Sequence, residues 1–347
     1  MNLKELSSIL GLSQTTVSRA LNGYPEVSAA TRERVELAAL KHSYTPNTRA
    51  KSLATGQAMA IGHVIPMATK HEMVNPVFAD FIAGAATAYT RHGFEMVLTI
   101  VEDGNESNVY RNLKARAAVD GVILHAPSMN DSRISFLNEI GLPFAVHGRA
   151  SGQNEPYCWL DVNNRSAFRR ATDFLLDLGH RRIALINGNE AMDFAYRRRH
   201  GFAEAMAARK IPLVPEFMHS EEMTEEYGYR AASKMLKAHD APTAFLVSSI
   251  ISAIGVRRAI EEAGLIMGRD VSVITHDDAL SYLPNGDEIP IFTATRSSVR
   301  EAGRRLAEML IARINDPKAA PEQVLLEAEL RVGRSTGPAP VRAFAED

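Results

Sequence analysis

A run of polar side chains near the start of the chain has the residue types of a surface that contacts nucleic acid. Within QTTVSRAL (residues 14–21) there are five such side chains, namely Gln14, Thr15, Thr16, Ser18 and Arg19. A glutamine amide can form two hydrogen bonds with adenine, and an arginine guanidinium can form two with guanine. Serine and threonine can bind phosphate oxygens or contact a thymine methyl group. The segment therefore favours contact with the edges of a DNA groove.

The residues around this run predict a helix that turns the polar face outward. Val17, Ala20 and Leu21 have helical spacing and can pack inward, while Ser13 is a candidate N-cap residue. Asn22 and Gly23 are typical of a helix end.

Helices are also predicted on either side of this segment. An amphipathic helix over residues 2–10 ends at Gly11, and a short turn joins it to the polar helix. A third helix starts near Ser28 and buries Val35, Ala38 and Ala39. This order predicts an all-α helix-turn-helix unit.

The charge of the chain is unevenly distributed. Residues 1–56 contain seven Lys and Arg and four acidic residues, so they carry a net charge of +3. The chain as a whole carries −2, so the remainder carries −5. A basic first segment on an acidic body is the pattern expected when only that segment meets phosphate.

From residue 58 onward, strand patterns alternate with helix patterns. Apolar strands such as AIGHVIP, DGVILHA and AFLVSS are separated by amphipathic stretches in two similar blocks of about 110 residues. This alternation predicts the α/β class, with doubly wound parallel sheets in two stacked lobes. One final strand is expected over residues 323–331, followed by a tail rich in Pro and Gly.

Several classes of protein are disfavoured by what the sequence lacks. The single cysteine, Cys158, cannot form an intrachain disulfide, and we expect it to be a small buried hydrophobe. No signal-like segment precedes the first helix and no apolar run approaches 18 residues, so we expect a cytoplasmic protein without membrane contact. No GxSxG, HExxH, CxxC or Walker motif occurs, and we expect no enzyme activity, cofactor or metal.

Parallel sheets bind ligands at the carboxyl ends of their strands, so the residues that follow each strand are candidates for a pocket. These are Pro66, Met67, Glu102, Asp103, His125, His147, Gly148, Arg149, Trp159, Ser248, Ser249, His276, Asp277 and Asp278. The sole tryptophan, Trp159, is either an aromatic platform for a sugar ring or a core residue. Adjacent residues of an extended strand alternate in direction, so His276, Asp277 and Asp278 are poorly placed to bind one metal ion together.

Longer motifs resemble the LacI family of transcription regulators. LGLSQTTVSRALNG, followed by VSAATRERVELAALKHSYTPNTRAKSLATG, resembles the DNA-binding head and hinge of that family. LDLGHRRIALING, RRRHGF, PTAFLVSS and VSVITHDD follow in the family's order and spacing. The resemblance extends over about residues 2 to 334 and is closest to members that control α-glucoside use. It implies a repressor with a periplasmic-binding-protein-like body and no catalytic role.

The resemblance implies a domain order. Residues 1–47 form the helix-turn-helix domain and residues 48–57 form a hinge. The effector-binding and dimerisation body is expected over 58–334, with 335–347 as a flexible tail. Within the body, the N-lobe is expected to comprise 58–161 and 293–320, and the C-lobe 162–292 and 321–334.

The resemblance also assigns roles in DNA binding. Gln14, Thr15 and Arg19 would read bases, whereas Thr16, Ser18 and Asn22 would contact phosphate or support the structure. A homodimer would bind a near-palindromic operator, because one head makes too few contacts. Leu53 would wedge into the central base step when paired hinge helices form in the minor groove.

A small carbohydrate is the effector that the resemblance implies. The effector-binding residues that we expect are Asn75, Phe78, Asp103, His125, His147, Trp159, Arg198, Ser249, Asp277 and Arg296. Arg198 and Asp277 match positions that hold the effector's hydroxyl groups, and Asn75 and Phe78 match another lining element.

Two of these positions depart from the family pattern. Ser249 replaces part of an Asn-Asp pair, and Arg296 stands where an amide is often found. If Arg149, Arg198 and Arg296 converge, the pocket could hold an anion. Sugar phosphates and sugar acids are therefore alternative effectors to an α-glucoside disaccharide. A corepressor type of response stays open as well. Two carboxylates in the cleft could also suggest glycoside hydrolysis. The absence of the catalytic motifs named above disfavours an enzyme.

Overall fold

The computed structural model describes residues 1–21, 23–44, 57–66, 75–102 and 104–340. Asn22, Leu53 and Asp103 lie outside these residues, as do the rest of 45–56, residues 67–74 and residues 341–347. No helix in the described ranges is both long enough and apolar enough to cross a bilayer.

Three short helices form the head: α1 (Leu3–Leu10), α2 (Gln14–Leu21) and α3 (Ala29–Lys41). Asn2 and Glu5 form a capping box on α1, and Gly11 ends it in the left-handed region at φ 64°. Ser13 caps α2, since its Oγ accepts from the Thr16 amide at 3.0 Å. The predicted helix-turn-helix is confirmed.

The N-lobe is a six-stranded sheet with helices on both faces. Its elements are β1 (Ala60–Pro66), α4 (Pro76–His92), β2 (Glu95–Val101), α5 (Glu106–Ala115), β3 (Gly121–His125), α6 (Ser132–Ile140), β4 (Phe144–His147), β5 (Cys158–Val162), α11 (Val299–Asn315) and β11 (Gln323–Leu326). The strand order is β11-β5-β4-β3-β1-β2, with every neighbouring pair parallel. The strand ends that carry His125 and His147 therefore lie side by side.

The C-lobe repeats this arrangement. Its elements are α7 (Asn164–Asp177), β6 (Ile183–Asn187), α8 (Asp193–Ala208), β7 (Met218–Ser220), α9 (Glu225–Leu236), β8 (Ala244–Val247), α10 (Ile250–Glu262), β9 (Ser272–Asp277), β10 (Thr293–Arg296) and β12 (Glu329–Arg331). The strand order is β12-β10-β9-β8-β6-β7, and only β10 and β12 are antiparallel. The α/β class with two doubly wound lobes is confirmed.

Two segments lie in the opposite lobe from the one expected. Strand β10 belongs to the C-lobe sheet, although 293–320 was assigned to the N-lobe, and β11 belongs to the N-lobe sheet, although 321–334 was assigned to the C-lobe. The single strand predicted over 323–331 is two strands in different sheets. Residues 327 and 328 carry the chain between the lobes, which a continuous apolar pattern does not reveal.

The first part of the expected flexible tail is built into the C-lobe. Ser335 is fully buried, and its carbonyl accepts from the Val273 amide at 2.8 Å. The Gly337 carbonyl lies 3.1 Å from Nε2 of the buried His180. The prediction of a flexible tail over 335–347 is therefore wrong for residues 335–340, because backbone hydrogen bonds hold them against β9.

Helices α4 and α11 approach each other unusually closely in the N-lobe. A Cβ atom on Gly84 would lie 1.8 Å from the carbonyl oxygen of Arg300, and one on Gly303 would lie 2.1 Å from that of Phe81. Glycine at both crossing points lets the backbones touch. The close packing fixes the end of α4 that carries Phe81 beside the cleft.

Candidate functional site

The head separates a packed face from a polar face on α2. Val17 and Ala20 are fully buried in the head core, whereas Gln14, Thr15 and Arg19 are exposed. The base-reading residues expected from the sequence thus lie on one open face of a short helix. Such a helix can enter a major groove with its polar side chains toward the bases.

Two other polar residues of α2 are less open. The Thr16 hydroxyl lies 2.8 Å from the Ser13 hydroxyl, so it supports the N-cap, and both Thr16 and Ser18 are partly buried. The expected roles of Asn22 and Leu53 concern positions outside the described residues.

A cavity of about 550 Å³ lies between the two lobes, at the carboxyl ends of their strands. Ligand pockets in proteins typically have volumes of about 300–1,000 Å³. Five of the effector-binding residues expected from the sequence line it: Asn75, Phe78, His125, His147 and Arg198.

The N-lobe wall of the cavity is built from histidine and phenylalanine rings. The Phe81 ring centroid lies 4.8 Å from that of His125 and 4.5 Å from that of His147. Behind them, His63 Nδ1 is 3.0 Å from His125 Nε2, and His63 Nε2 is 2.8 Å from the Tyr89 hydroxyl. This hydrogen-bonded chain fixes the orientation of the His125 ring at the cavity surface.

These histidines are uncharged at neutral pH. Burial lowers the pKa of His63 and of His147 to about 4. Burial lowers the pKa of His125 well below its usual value, and the neighbouring His63 and His147 lower it further. The N-lobe wall therefore offers aromatic faces and neutral ring nitrogens.

The C-lobe wall is centred on Arg198, which projects from α8. Its side chain is 6% exposed, with Nε donating to Asn164 Oδ1 at 2.8 Å and Nη1 donating to the Ser248 carbonyl at 2.6 Å. The guanidinium carbon lies 5.0 Å from the ring centroids of both Phe168 and Phe194. Burial lowers the Arg198 pKa to about 10, so the group is still protonated at neutral pH.

Asp278 supplies an acidic group to the same wall. Burial acts to raise its pKa, but His276, Arg198 and His147 outweigh that effect and the pKa is lowered overall. Its carboxylate lies 3.5 Å from His276 Nε2. A buried arginine and an ionised aspartate on one wall are suited to bind vicinal hydroxyl groups, which can both donate and accept hydrogen bonds.

Four expected effector-binding residues do not line the cavity. Trp159 lies deeper in β5 than Asp161, and the Arg149 guanidinium covers its ring at 5.0 Å. Ser249 caps α10, since its Oγ accepts from the Ile251 amide at 3.2 Å. The Trp159 side chain is therefore partly buried next to Arg149, and Ser249 serves as the N-cap of a helix.

Asp277 and Arg296 contact each other away from the cavity. The Asp277 carboxylate accepts from the Ala279 amide at 2.8 Å and lies 3.5 Å from Arg296 Nε. Both line a separate space of about 130 Å³ in the C-lobe. Successive residues at a strand end point in opposite directions, so Asp278 enters the cavity in place of Asp277. The convergence of Arg149, Arg198 and Arg296 does not occur.

Sequence reasoning did not select several residues that complete the cavity. They are Phe81, Arg133, Asp161, Asn164, Met192, Phe194 and Met223, together with three acidic residues near the rim, Glu221, Glu222 and Glu225. Asp161 and Asn164 flank the end of β5, so the strand-end rule could have selected both as cavity residues. Phe194 and Met223 lie on or beside helix starts, which the strand-end rule does not cover.

Two aspartates form hydrogen bonds between the lobes. Asp193 of the C-lobe accepts from the Ser151 amide at 2.9 Å and from its hydroxyl. Asp80 of the N-lobe accepts from the Ser281 amide at 2.7 Å and from its hydroxyl at 2.8 Å. Each lobe therefore contributes one aspartate and one serine. We name these contacts the two Asp–Ser latches.

An arginine supports each latch. Arg197 binds Asp193 and also donates to the Ser151 hydroxyl at 2.8 Å. Arg300 binds Asp80 and lies 3.1 Å from the Ser281 hydroxyl. Charge-assisted hydrogen bonds of this kind hold a defined spacing between the parts that they join.

Comparisons with known proteins agree with both parts of this arrangement. Residues 2–47 match the family of bacterial regulatory proteins described as the lacI family, and residues 172–336 match a periplasmic binding protein-like domain. The chain is 46% identical to the HTH-type transcriptional regulator AglR of Rhizobium meliloti (strain 1021), over 99% of this chain and 96% of that protein. It is 32% identical to the regulator RafR of Escherichia coli, over 93% and 94%.

Solved structures show the same architecture. A transcriptional regulator CelR–cellobiose complex matches with a TM-score of 0.71 at 28% identity, covering 96% of this chain and 99% of that one. A lac repressor dimer bound to operator and the anti-inducer ONPF matches with a TM-score of 0.81 at 25% identity, covering 97% and 99%.

A helix-turn-helix head joined to a two-lobed body with a central cavity defines a DNA-binding transcription regulator with a ligand-binding domain. The chain belongs to the LacI family of bacterial regulators. Its relatives AglR and RafR are HTH-type transcriptional regulators.

Proposed function

We propose that the protein is a homodimeric repressor of carbohydrate-utilisation genes. It binds a near-palindromic DNA operator and leaves it when a small sugar occupies the cavity, with an α-glucoside disaccharide as the favoured effector. The cavity carries this proposal, because aromatic rings on one wall face a buried Arg198 and an ionised Asp278 on the other. Sugars have apolar ring faces and polar edges, which fit these two surfaces.

The head supports the DNA-binding part of the proposal. Gln14, Thr15 and Arg19 are exposed together on α2 and have the chemistry of base contacts. A dimer would present two such helices to two half-sites, as a lac repressor dimer bound to operator does in general form. The segment 48–57, with Leu53, is proposed as the hinge between head and body.

The size of the cavity supports a disaccharide. A volume of about 550 Å³ lies within the usual range for small-molecule sites. The similar CelR structure is a complex with cellobiose, which is a glucose disaccharide. In the proposed mechanism, sugar binding changes the spacing of the lobes and separates the paired hinges, so DNA affinity falls.

The direct test uses the full-length protein and a duplex selected by it from a random DNA pool. Fluorescence anisotropy measures binding to that duplex in the presence of maltose, sucrose or trehalose. We expect one of these sugars to weaken DNA binding about 5- to 150-fold, which is the usual size of such coupling. Tighter DNA binding with sugar would show a corepressor type of response. Hydrolysis of the sugar would contradict the purely regulatory role.

The base-reading role has its own test, the substitution Arg19→Ala. We expect specificity at one base pair of each half-site to relax, with a cost of about 1–3 kcal/mol for the preferred base. Repeating the selection with the variant measures this change. Arg209→Ala, at an exposed arginine of the C-lobe, is the matched control. A uniform loss across all duplexes would instead make Arg19 a phosphate contact.

A further inference from the structure

We infer that the cavity selects uncharged sugars and excludes phosphorylated and acidic ones. This inference rests on the proposed function, since it specifies the class of sugar that the same cavity accepts. It is carried by the partners of the three arginines that line the cavity and by the acidic residues around them.

Two of the three arginines are already hydrogen-bonded to aspartates. Arg133 donates to both carboxylate oxygens of Asp131, at 2.9 Å from Nε and 2.7 Å from Nη2. Arg149 Nε donates to Asp161 at 2.8 Å. All four side chains are largely buried, so these pairs are shielded from solvent. A ligand anion would have to compete with an aspartate held at hydrogen-bonding distance.

Arg198 is held by neutral acceptors, and its positive charge is balanced at longer range. Its two described hydrogen bonds go to the Asn164 amide oxygen and the Ser248 carbonyl. Asp278 and Asp161 both stabilise its charged form. The rings of Phe168 and Phe194 lie 5.0 Å from its guanidinium carbon, so two aromatic side chains pack around the group. Arg198 is thus suited to donate to hydroxyl oxygens in the plane of the group.

Acidic groups outnumber basic ones around the cavity. Among its lining residues in the described part of the chain, three are arginines and five are acidic, the latter being Asp161, Asp278, Glu221, Glu222 and Glu225. Arg230 and Arg258 bind two of the rim glutamates, which reduces this excess, but neither arginine lines the cavity. His125 and His147 add no charge at neutral pH, because burial lowers the pKa of both side chains. A phosphate group that enters this space finds no lining arginine without a carboxylate nearby, and it meets the ionised Asp278 close to Arg198.

The physical consequence is a large difference in affinity between neutral and charged sugars. A phosphate placed beside the ionised Asp278 in a poorly solvated site is repelled by that carboxylate and loses its own hydration. Hydroxyl groups meet no such penalty, because each can accept from Arg198 and donate to Asp278 or to a neutral imidazole. We expect a phosphorylated sugar to bind at least about 100-fold more weakly than its neutral parent, since about 2.8 kcal/mol corresponds to that ratio.

Matched pairs of sugars test this inference with the full-length protein. Isothermal titration calorimetry would compare trehalose with trehalose 6-phosphate, and maltose with maltobionate, at low and high ionic strength. We expect the neutral member of at least one pair to bind and its charged partner to bind at least about 100-fold more weakly. The ratio should shrink at high salt, because salt screens like-charge repulsion.

A charge-removing substitution separates electrostatic exclusion from simple lack of room. Asp278→Asn keeps the size of the side chain and removes one negative charge from the cavity. It should narrow the ratio between neutral and phosphorylated sugar about tenfold. Asp177→Asn removes a charge from an exposed ion pair with Arg209 and should leave the ratio unchanged. An unchanged ratio in Asp278→Asn would overturn the electrostatic explanation.

The outcomes for this inference and for the proposed function are distinct. If a phosphorylated or acidic sugar binds as tightly as its neutral parent, or more tightly, the inference is overturned and the sugar-responsive function stands. If no sugar of either kind binds, the proposed effector class fails, and the inference fails with it. Binding of the neutral member alone, with the expected response of Asp278→Asn, supports both.

Discussion

The two walls of the cavity differ in the kind of contact that they offer. The N-lobe wall is made of rings packed edge-on or tilted against one another, with Phe78 and Phe81 beside His125 and His147, and these two histidines are neutral. The C-lobe wall carries the buried charge of Arg198. Ring surfaces contribute binding area with modest directional demands, whereas a buried guanidinium requires correctly placed acceptors. The comparison implies that the N-lobe wall provides packed contact area and the C-lobe wall provides directional hydrogen bonds to the ligand.

The largest effect is expected when the central ring of the N-lobe wall is removed. Phe81 is 1% exposed and contacts two histidine rings, so Phe81→Ala leaves a cavity in the core. We expect a loss of about 3–5 kcal/mol in the free energy of unfolding, measured by urea denaturation. Phe136→Ala, at a partly buried ring elsewhere in the N-lobe, is the control and should cost less. Equal losses would show that Phe81 is not a central packing residue.

Removing the charge of the C-lobe wall should act mainly on binding. In Arg198→Ala, Asn164 and the Ser248 carbonyl lose their donor, and Asp278 loses a stabilising neighbour. We expect sugar affinity to fall about 100-fold, within the range of about 2–5 kcal/mol that such truncations cost. Calorimetry with the best sugar measures this fall. Arg169→Ala, at an exposed helix position, should leave affinity unchanged. Retained sugar affinity in Arg198→Ala would remove Arg198 from the site.

Acidification should lower the free energy of unfolding through the buried histidines at and behind the N-lobe wall. The folded-state pKa of His63 and His147 is about 4, below the usual 6.5 of an unfolded chain. Between these values the unfolded chain binds more protons, so stability is full above about pH 6.5 and falls as the pH drops toward 4. Each histidine should cost roughly 2 kcal/mol at pH 5.

Urea denaturation at pH 7 and pH 5 measures this loss. In the His63→Gln variant, the free energy of unfolding should depend less on pH. The variant should also be less stable at pH 7, because the contact with Tyr89 is altered. His239→Gln, at an exposed position, is the matched control and should keep the full sensitivity. An undiminished pH response in His63→Gln would show that other groups cause the loss.

The smallest expected effects come from the two Asp–Ser latches, which form hydrogen bonds between the lobes. Ser151→Ala and Ser281→Ala each remove one hydroxyl and keep the backbone hydrogen bond to the aspartate. Each should cost about 1.5 kcal/mol, or roughly tenfold in sugar affinity, because one neutral-to-charged hydrogen bond is lost. Ser135→Ala, at an exposed serine of α6, is the control. If both latch variants bind sugar like the control variant, the latches do not govern the wall spacing.

Much of this arrangement could be predicted from sequence because strand ends are local signals. His125 and His147 follow directly from the apolar runs that precede them, and both line the cavity. The head was equally accessible, since Ser13, Gly11 and the buried Val17 and Ala20 form a local pattern of caps and packing.

The errors arise where three-dimensional context decides. Asp277 and Asp278 are adjacent, and only the detailed end of β9 determines which of the two faces the cavity. Trp159 is in the expected strand but lies too deep to reach a ligand. The exchange of β10 and β11 between lobes depends on non-local strand pairing, which periodicity cannot reveal.

The chain crosses between the lobes again at residues 327–328, after most of both sheets has been formed. Each sheet therefore receives an edge strand from the last part of the described chain. A premature stop codon shortly before residue 323 would remove a strand from both lobes at once, while leaving the head's sequence intact. The product would keep the proposed base-reading residues of α2 and lose an edge strand from each lobe of the body, so a late truncation in this gene is expected to be as damaging to regulation as an early one in the body.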